Sequence, residues 1–262
     1  MAPTPPRMAP RRQRVVRRPS GHPCDVEREP VTPAPPRSAR PALLRQDWRD
    51  VAFLHWALRP EVAAPLLPSG TVPDVLDGRT FVGLIALRME HTAPLGGPAL
   101  PWLGSFGQAN VRLYTVDRDG RRGVVFLSLD AGRLLPAVTA RTAGLPYRWA
   151  RVRVRRQGDR CRYRVARRTG TAHASIDLRI GSRRDPDPIE RFVTARWGLH
   201  HRFPGRTAYV AIEHGPWPLN GAELLDCDTD LLATAGLSQV SGPPVSVLFS
   251  PGIDGVRLGP PS

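Results

Sequence analysis

Residues 106–147 read FGQANVRLYTVDRDGRRGVVFLSLDAGRLLPAVTARTAGLPY, and two β-rich runs within them, 110–116 and 122–130, flank the turn-forming VDRDG. β-branched and aromatic residues on either side of an Asp-Gly turn predict a hairpin. Alternation then places Asn110, Arg112 and Tyr114 on one face of the first strand, with Val111, Leu113 and Thr115 on the other. On a solvated sheet a row of amide, guanidinium and phenol requires no partner. Inside a closed barrel each group has to be hydrogen-bonded or face a ligand, and these alternatives divide the functional readings.

Upstream of the hairpin, residues 79–90 (RTFVGLIALRME) predict a buried strand in which Gly83 permits a bend or bulge. The Gly/Pro-rich stretch 94–101 reads as a loop. Trp48–Leu58 (WRDVAFLHWAL) reads as an apolar, aromatic, loop-rich entry to the fold, followed by Pro60 and a short helix over Glu61–Leu66. His55, beside Trp56, reads either as lining a cavity or, as is commoner for a lone histidine in an apolar run, as a core residue with a satisfied hydrogen bond. Downstream, Leu134, Leu135 and Val138 fall near helical spacing and predict a helix over Ala131–Thr142 that stops at Gly144.

Residues 147–168 carry a second hairpin. With Gly158 and Asp159 as a two-residue turn, Arg155 lies opposite Arg162 and Arg153 opposite Arg164, while Val154 faces Tyr163 on the reverse side. Four arginines then share one face, which is either a hydrated outer surface or a polyanion-binding patch. A polar loop at 181–188 precedes three β-like runs, Ile189–Leu199, Thr207–Glu213 and Val245–Ser250. His200 and His201 point oppositely on a strand and cannot jointly hold one metal there. His214-Gly215-Pro216-Trp217-Pro218-Leu219 puts a histidine just past a strand and before a Pro-bracketed tryptophan.

At 262 residues and 41% hydrophobic, the chain can bury a core, and the reading is a tail over 1–41 followed by one domain over 42–262. The Pro- and Arg-rich residues 1–41 contain too little apolar surface to offset the entropy of ordering them. No apolar run reaches membrane-helix length and no leader pattern follows the early arginine pairs, so a cytoplasmic location is the default. Cys24, Cys161 and Cys227 lack metal-site spacing and read as free thiols. Formal net charge is +15, and all 38 Lys/Arg residues are arginine. No lysine is available to form an imine. Phosphate loops, dinucleotide fingerprints, HExxH and GxSxG are also missing, so neither a cofactor nor a resident metal is expected. Many short strands and few helices predict a mainly β protein, an antiparallel barrel or sandwich.

Trp48 with His55-Trp56, Leu67-Pro68, Asp77-Gly78, Asn110-Val111-Arg112 with Tyr114, Phe126 with Ser128-Leu129-Asp130, Ala140-Arg141 with Leu145-Pro146-Tyr147, and His214 through Glu223 occur in an order that resembles the YqjF-like family of uncharacterised bacterial proteins. That family is grouped with the acetoacetate decarboxylase-like superfamily. The resemblance spans 44–254 and implies a barrel-like fold around a cavity. It does not carry over the decarboxylase reaction, because Tyr147-Arg148 stands where the paired lysines follow the proline. Gln108 replaces a usual glutamate, and Thr194-Ala195-Arg196-Trp197 replaces T-E-R-Y, so two carboxylates are absent. The remaining constellation assigns Arg112 and Arg141 to a carboxylate, Asn110 and Tyr147 to hydrogen bonding, Gln108, Tyr114 and Trp217 to the same wall, and Asp130 or His214 to proton handling. The expected partner is a small organic acid or related metabolite. The alternative is a nucleic acid or other polyanion on Arg153, Arg155, Arg162 and Arg164.

Overall fold

Leu44–Leu58 forms a fifteen-residue strand, β1, where the sequence suggested a loop-rich entry. Residues 51–56 are all buried, odd and even alike, so the run lacks the polar alternation that marks a half-exposed strand. Both faces need covering, and the topology supplies two covers.

The structure is a computed structural model that describes residues 27–101, 104–133, 144–203 and 205–262. After β1 come β2 (Thr71–Pro73), β3 (Thr80–Pro94), β4 (Phe106–Asp117), β5 (Arg122–Ala131), β6 (Tyr147–Gln157), β7 (Arg160–Arg167) and β8 (His173–Arg183). β9 (Gly198–Phe203), β10 (Arg206–Glu213), β11 (Asn220–Thr229) and β12 (Ser246–Pro261) complete one sheet. Its hydrogen bonding runs β12-β1-β3-β4-β5 and then divides. One branch returns to β12 through β9 and β10, the other through β6, β7, β8 and β11. Two rings thus share a five-strand wall. The junctions of β5 with β6 and with β9 are parallel, and all other pairings are antiparallel.

Alternate residues of the shared wall feed the two interiors. Ala52, Leu54, Leu84, Ala86, Val111 and Leu113 join Tyr163, Ile176, Leu178 and Leu231 in a solid apolar core inside the longer ring. Val51, Phe53, Ile85, Leu87, Met89 and Phe106 face the shorter ring. That second set surrounds the candidate site.

The first hairpin forms as expected, with Val116 paired to Arg122, and a bulge opposite Val111/Arg112 adds one residue to β5. The second forms in the expected register, Arg155 to Arg162, Arg153 to Arg164 and Val154 to Tyr163, with Gly158 at φ 59° in the turn. Gly83 serves a different purpose from the bend expected of it. A Cβ there would lie 3.0 Å from Tyr114 Oη and 3.1 Å from His55 Cδ2, so glycine lets these two buried side chains meet.

The run Ile189–Leu199 is not a single strand, because Pro188–Thr194 is helical. Asp187 caps it, accepting from the Glu190 amide, and Glu190 returns a bond to the Asp187 amide, with Pro188 in the first turn. Residues 181–183, expected in a loop, end β8 instead. The short helix after Pro60 is present as Pro60–Ala63 followed by a 3₁₀ turn over Ala64–Leu66. The helix expected over Ala131–Thr142 falls mostly outside the described residues, and Ala131 ends β5. Residues 27–41 lie along the barrel: the Glu29 amide donates to Gly120 O at 3.0 Å, Trp197 Nε1 to Thr32 O at 3.1 Å, and the Ala39 amide to Glu213 at 2.9 Å. Among the described residues, no helix is long and apolar enough to cross a membrane.

Candidate functional site

Strand alternation on β4 sends Gln108, Asn110 and Arg112 into a cavity of about 450 Å³ within the shorter ring. Their β3 partners are Leu87, Ile85 and Gly83. Apart from this polar row, the wall is mostly hydrocarbon, with Phe53, Met89, Phe126, Leu129 and Ile212 among its members. Arg112 is the one charged side chain on the wall among the described residues, and no carboxylate lies within ion-pair distance of it.

Neighbouring groups hold the guanidinium. Arg112 Nε donates to Tyr114 Oη at 3.1 Å and Nη2 to the Val193 carbonyl at 3.1 Å. The edge formed by Nε and Nη2 is therefore occupied by the protein's own acceptors. Nη1 has no hydrogen-bond partner among the described residues, and Arg112 lines the cavity. Tyr114 is itself fixed by His55 Nε2 at 2.7 Å, with both side chains completely buried. Burial and the positive charges of Arg112 and Arg196 hold His55 well below the usual imidazole value, so it is neutral.

Below this layer, Asp74 is fully buried and accepts from both Arg122 and Arg196. Arg196 also donates through Nε to Phe192 O at 2.7 Å and lies over the Phe192 and Tyr114 rings, 4.2 and 5.0 Å from their centroids. One carboxylate thus anchors two guanidiniums beneath the phenol that positions a third. The arrangement makes the polar end of the cavity rigid.

The wall also presents unused hydrogen-bonding atoms. Asn110 Oδ1, Trp48 Nε1 and Thr92 Oγ1 are buried without a partner, and all three residues line the cavity. Tyr147 donates weakly to Gln108 Oε1 at 3.4 Å, and burial pushes its phenol up to about 12, so at neutral pH it is a donor and not a base. His214 sits behind the wall. Trp48, Trp197 and Trp217 surround its ring at centroid distances of 5.8, 4.5 and 5.1 Å, and its Nδ1 meets Gly215 O at 2.6 Å. Burial lowers it to about 4, leaving the imidazole neutral.

Residues 45–254 match the DUF2071 family, described as an uncharacterized conserved protein. The chain belongs to this family. It is also 29% identical over 187 residues to the uncharacterized protein YqjF of Bacillus subtilis strain 168, covering 69% of this chain and 76% of that protein. Among solved structures, an acetoacetate decarboxylase-like enzyme from Sphingomonas wittichii RW1 aligns with a TM-score of 0.59 at 13% identity, over 87% of this chain and 94% of that one. The enduracididine biosynthesis enzyme MppR, solved in complex with pyruvate, aligns with a TM-score of 0.53 at 17% identity, over 82% of this chain and 90% of that one. Acetoacetate decarboxylase from Legionella pneumophila Philadelphia 1 gives 0.55 at 16% identity, over 88% and 91%. At such identities the likeness shows the fold.

Within this DUF2071 barrel, the expected site residues separate into groups. Gln108, Asn110, Arg112, Tyr147 and Trp217 converge on the cavity wall. Tyr114 stands one layer behind, positioning Arg112. Arg141 lies outside the described residues. Asp130 is displaced from its expected role, since it is fully buried and bound by Arg167 through Nε at 2.6 Å and Nη2 at 3.1 Å, on the side of β5 away from Leu129 and the cavity. His214 is likewise screened by Trp48 and Trp217. Arg153, Arg155, Arg162 and Arg164 form the expected exposed face on the longer ring, but Asp177 compensates part of it by accepting from Arg160 and Arg162. Phe53 and Thr92 were not anticipated as wall residues, and Trp48 was noted only as part of the resemblance. Phe53 and Trp48 lie on β1 and Thr92 near the end of β3, and no local pattern marks them.

Proposed function

We propose that the shorter ring binds a small organic anion in its cavity, with Arg112 receiving the carboxylate. The observation that carries this reading is a single pre-positioned guanidinium on a largely apolar wall, with one end unoccupied and no counter-ion beside it. An unmatched charge next to hydrocarbon is costly, and an incoming carboxylate supplies both the charge and the acceptors the site lacks. The fold is shared with MppR, which has been solved with pyruvate, in keeping with a carboxylate ligand. Trp48 Nε1 and the neutral Tyr147 phenol are further donors, and Asn110 Oδ1 is an acceptor for a hydroxyl or N–H elsewhere on the ligand.

The described wall carries no carboxylate, imidazole or thiol, and the chain has no lysine. The binding step is therefore built from fixed donors, and imine chemistry is closed to side chains of this protein. Thermal unfolding with a panel of carboxylates tests the reading, because a ligand selective for the native state at about 100 times its Kd stabilises by about 2.7 kcal/mol. At least one carboxylate should raise the melting temperature of the wild type and leave Arg112→Gln unmoved. An equal shift in both proteins would remove Arg112 from the site.

A further inference from the structure

Resting on the anion reading above, we infer that the ligand is a monocarboxylate with an apolar body of medium length, an acyl chain or aryl group, and not a short oxo acid. Three features of the cavity lead to this class. The first is size. A volume of about 450 Å³ falls in the range of sites for drug-sized molecules and equals roughly fifteen waters at about 30 Å³ each. An oxo acid of pyruvate's size fills a small part of that space and forgoes most of the dispersion contacts its apolar walls offer.

The second feature is the charge inventory. One guanidinium and no carboxylate face the cavity among the described residues. Among the described residues, a second anionic group on the ligand would find no charged partner, only neutral donors such as Trp48 Nε1 and Thr92 Oγ1. A cationic group would have only Arg112 for company. The described part of the wall therefore favours a single negative charge.

The third feature is the placement of the polar end. Arg112 pairs with Gly83, and six residues earlier on β4 Phe106 pairs with Met89, so the two registers stand about 20 Å apart along the strand. Between them Ile85 and Leu87 point inward from β3, and Phe53 and Leu129 complete the apolar lining. A carboxylate held at Arg112 directs the rest of its molecule along this wall toward Phe106. The apolar side chains match a hydrocarbon body over that path. Asn110, one alternation step from Arg112, is the polar interruption nearest the carboxylate.

Calorimetric titration of the full chain with pyruvate, butanoate, octanoate, 4-phenylbutanoate and octan-1-ol tests the class, with far-UV circular dichroism establishing that each variant is folded. From butanoate to octanoate the affinity should rise roughly three- to fourfold per added methylene, the equivalent of about 0.8 kcal/mol each. Octanoate should exceed pyruvate by about a hundredfold, and Arg112→Gln should weaken octanoate at least tenfold. Leu87→Trp, which narrows the path of the body and leaves Arg112 untouched, should weaken octanoate at least tenfold more than butanoate. Pyruvate binding as tightly as octanoate, with both abolished by Arg112→Gln, would overturn the apolar body while leaving the anion reading intact. Octan-1-ol matching octanoate, together with an indifferent Arg112→Gln, would overturn the anion reading itself. Unchanged octanoate binding in folded Leu87→Trp places the chain elsewhere and overturns the class, and no binding by any probe overturns both readings.

Discussion

Leu84 and Leu87 stand three residues apart on β3, both buried, yet they belong to different interiors. Leu84 packs into the longer ring, where Tyr163, Ile176, Leu178 and Leu231 fill the space around it. Leu87 faces the shorter ring and lines a cavity. The same wall therefore supports stability on one side and leaves room for a ligand on the other. A close-packed core gains dispersion contacts throughout, whereas a cavity forgoes them until it is occupied. The buried polar groups are distributed unequally. Arg112, Tyr114, His55, Arg196 and Asp74 gather at one end of the shorter ring, whereas on the longer ring's side Asp130 is paired with Arg167 and the Tyr163 hydroxyl donates to Asp50 O.

Removing the anchor of that polar end should have the largest effect. Asp74→Asn leaves Arg122 and Arg196 facing a neutral amide in a buried site, and breaking such a buried pair costs about 3–5 kcal/mol. Urea unfolding should show this loss. A change under about 1 kcal/mol would mean that water already compensates the two guanidiniums.

Acid should weaken the same side next. His214 falls from an ordinary 6.5 to about 4 in the folded protein, so between those values the unfolded chain binds a proton that the folded one excludes. Stability is then full above about pH 6.5, falls by up to about 3 kcal/mol as the pH drops to about 4, and levels off below that as far as this group is concerned. His55 acts in the same direction. Chemical unfolding of the wild type and His214→Phe at pH 7.5 and 4.5 should show a smaller acid loss in the variant. Equal losses would show that the tryptophans around His214 do not exclude its charged form.

The comparison within β3 gives a smaller but cleaner difference. Leu84→Ala should cost about 2–5 kcal/mol by opening a cavity in a filled core. Leu87→Ala enlarges a space that already exists and should cost about 1–2 kcal/mol less than Leu84→Ala. Matched costs would mean that the shorter ring is as tightly packed as the longer.

What the sequence revealed follows from the same division. The β6–β7 hairpin was legible to the residue pair because one face is wet: Arg153 and Arg155 alternate with Val152 and Val154, and Gly158 marks the turn. β1 was not legible as a strand because burial on both faces erases alternation. The helix Pro188–Thr194 was overlooked although D-P-D-P-I-E spells its capping box, because the apolar residues after it suggested a strand. At the site, the polar row on β4 was visible from alternation alone. Asp130 was misassigned because its partner Arg167 stands 37 residues away, and nothing local distinguishes an engaged carboxylate from a free one. The walls supplied by Phe53 and Thr92 depend on which strands close the ring.

The most direct measurement is methyl NMR of the folded protein titrated with octanoate, because it asks which side of the shared wall is occupied. The methyl resonances of Ile85, Leu87 and Leu129 should move together and saturably, while those of Leu84, Leu113 and Leu178 stay in place. Shifts confined to Leu84, Leu113 and Leu178, or no saturable shift at Ile85 and Leu87, would contradict the assignment of the shorter ring as the binding chamber.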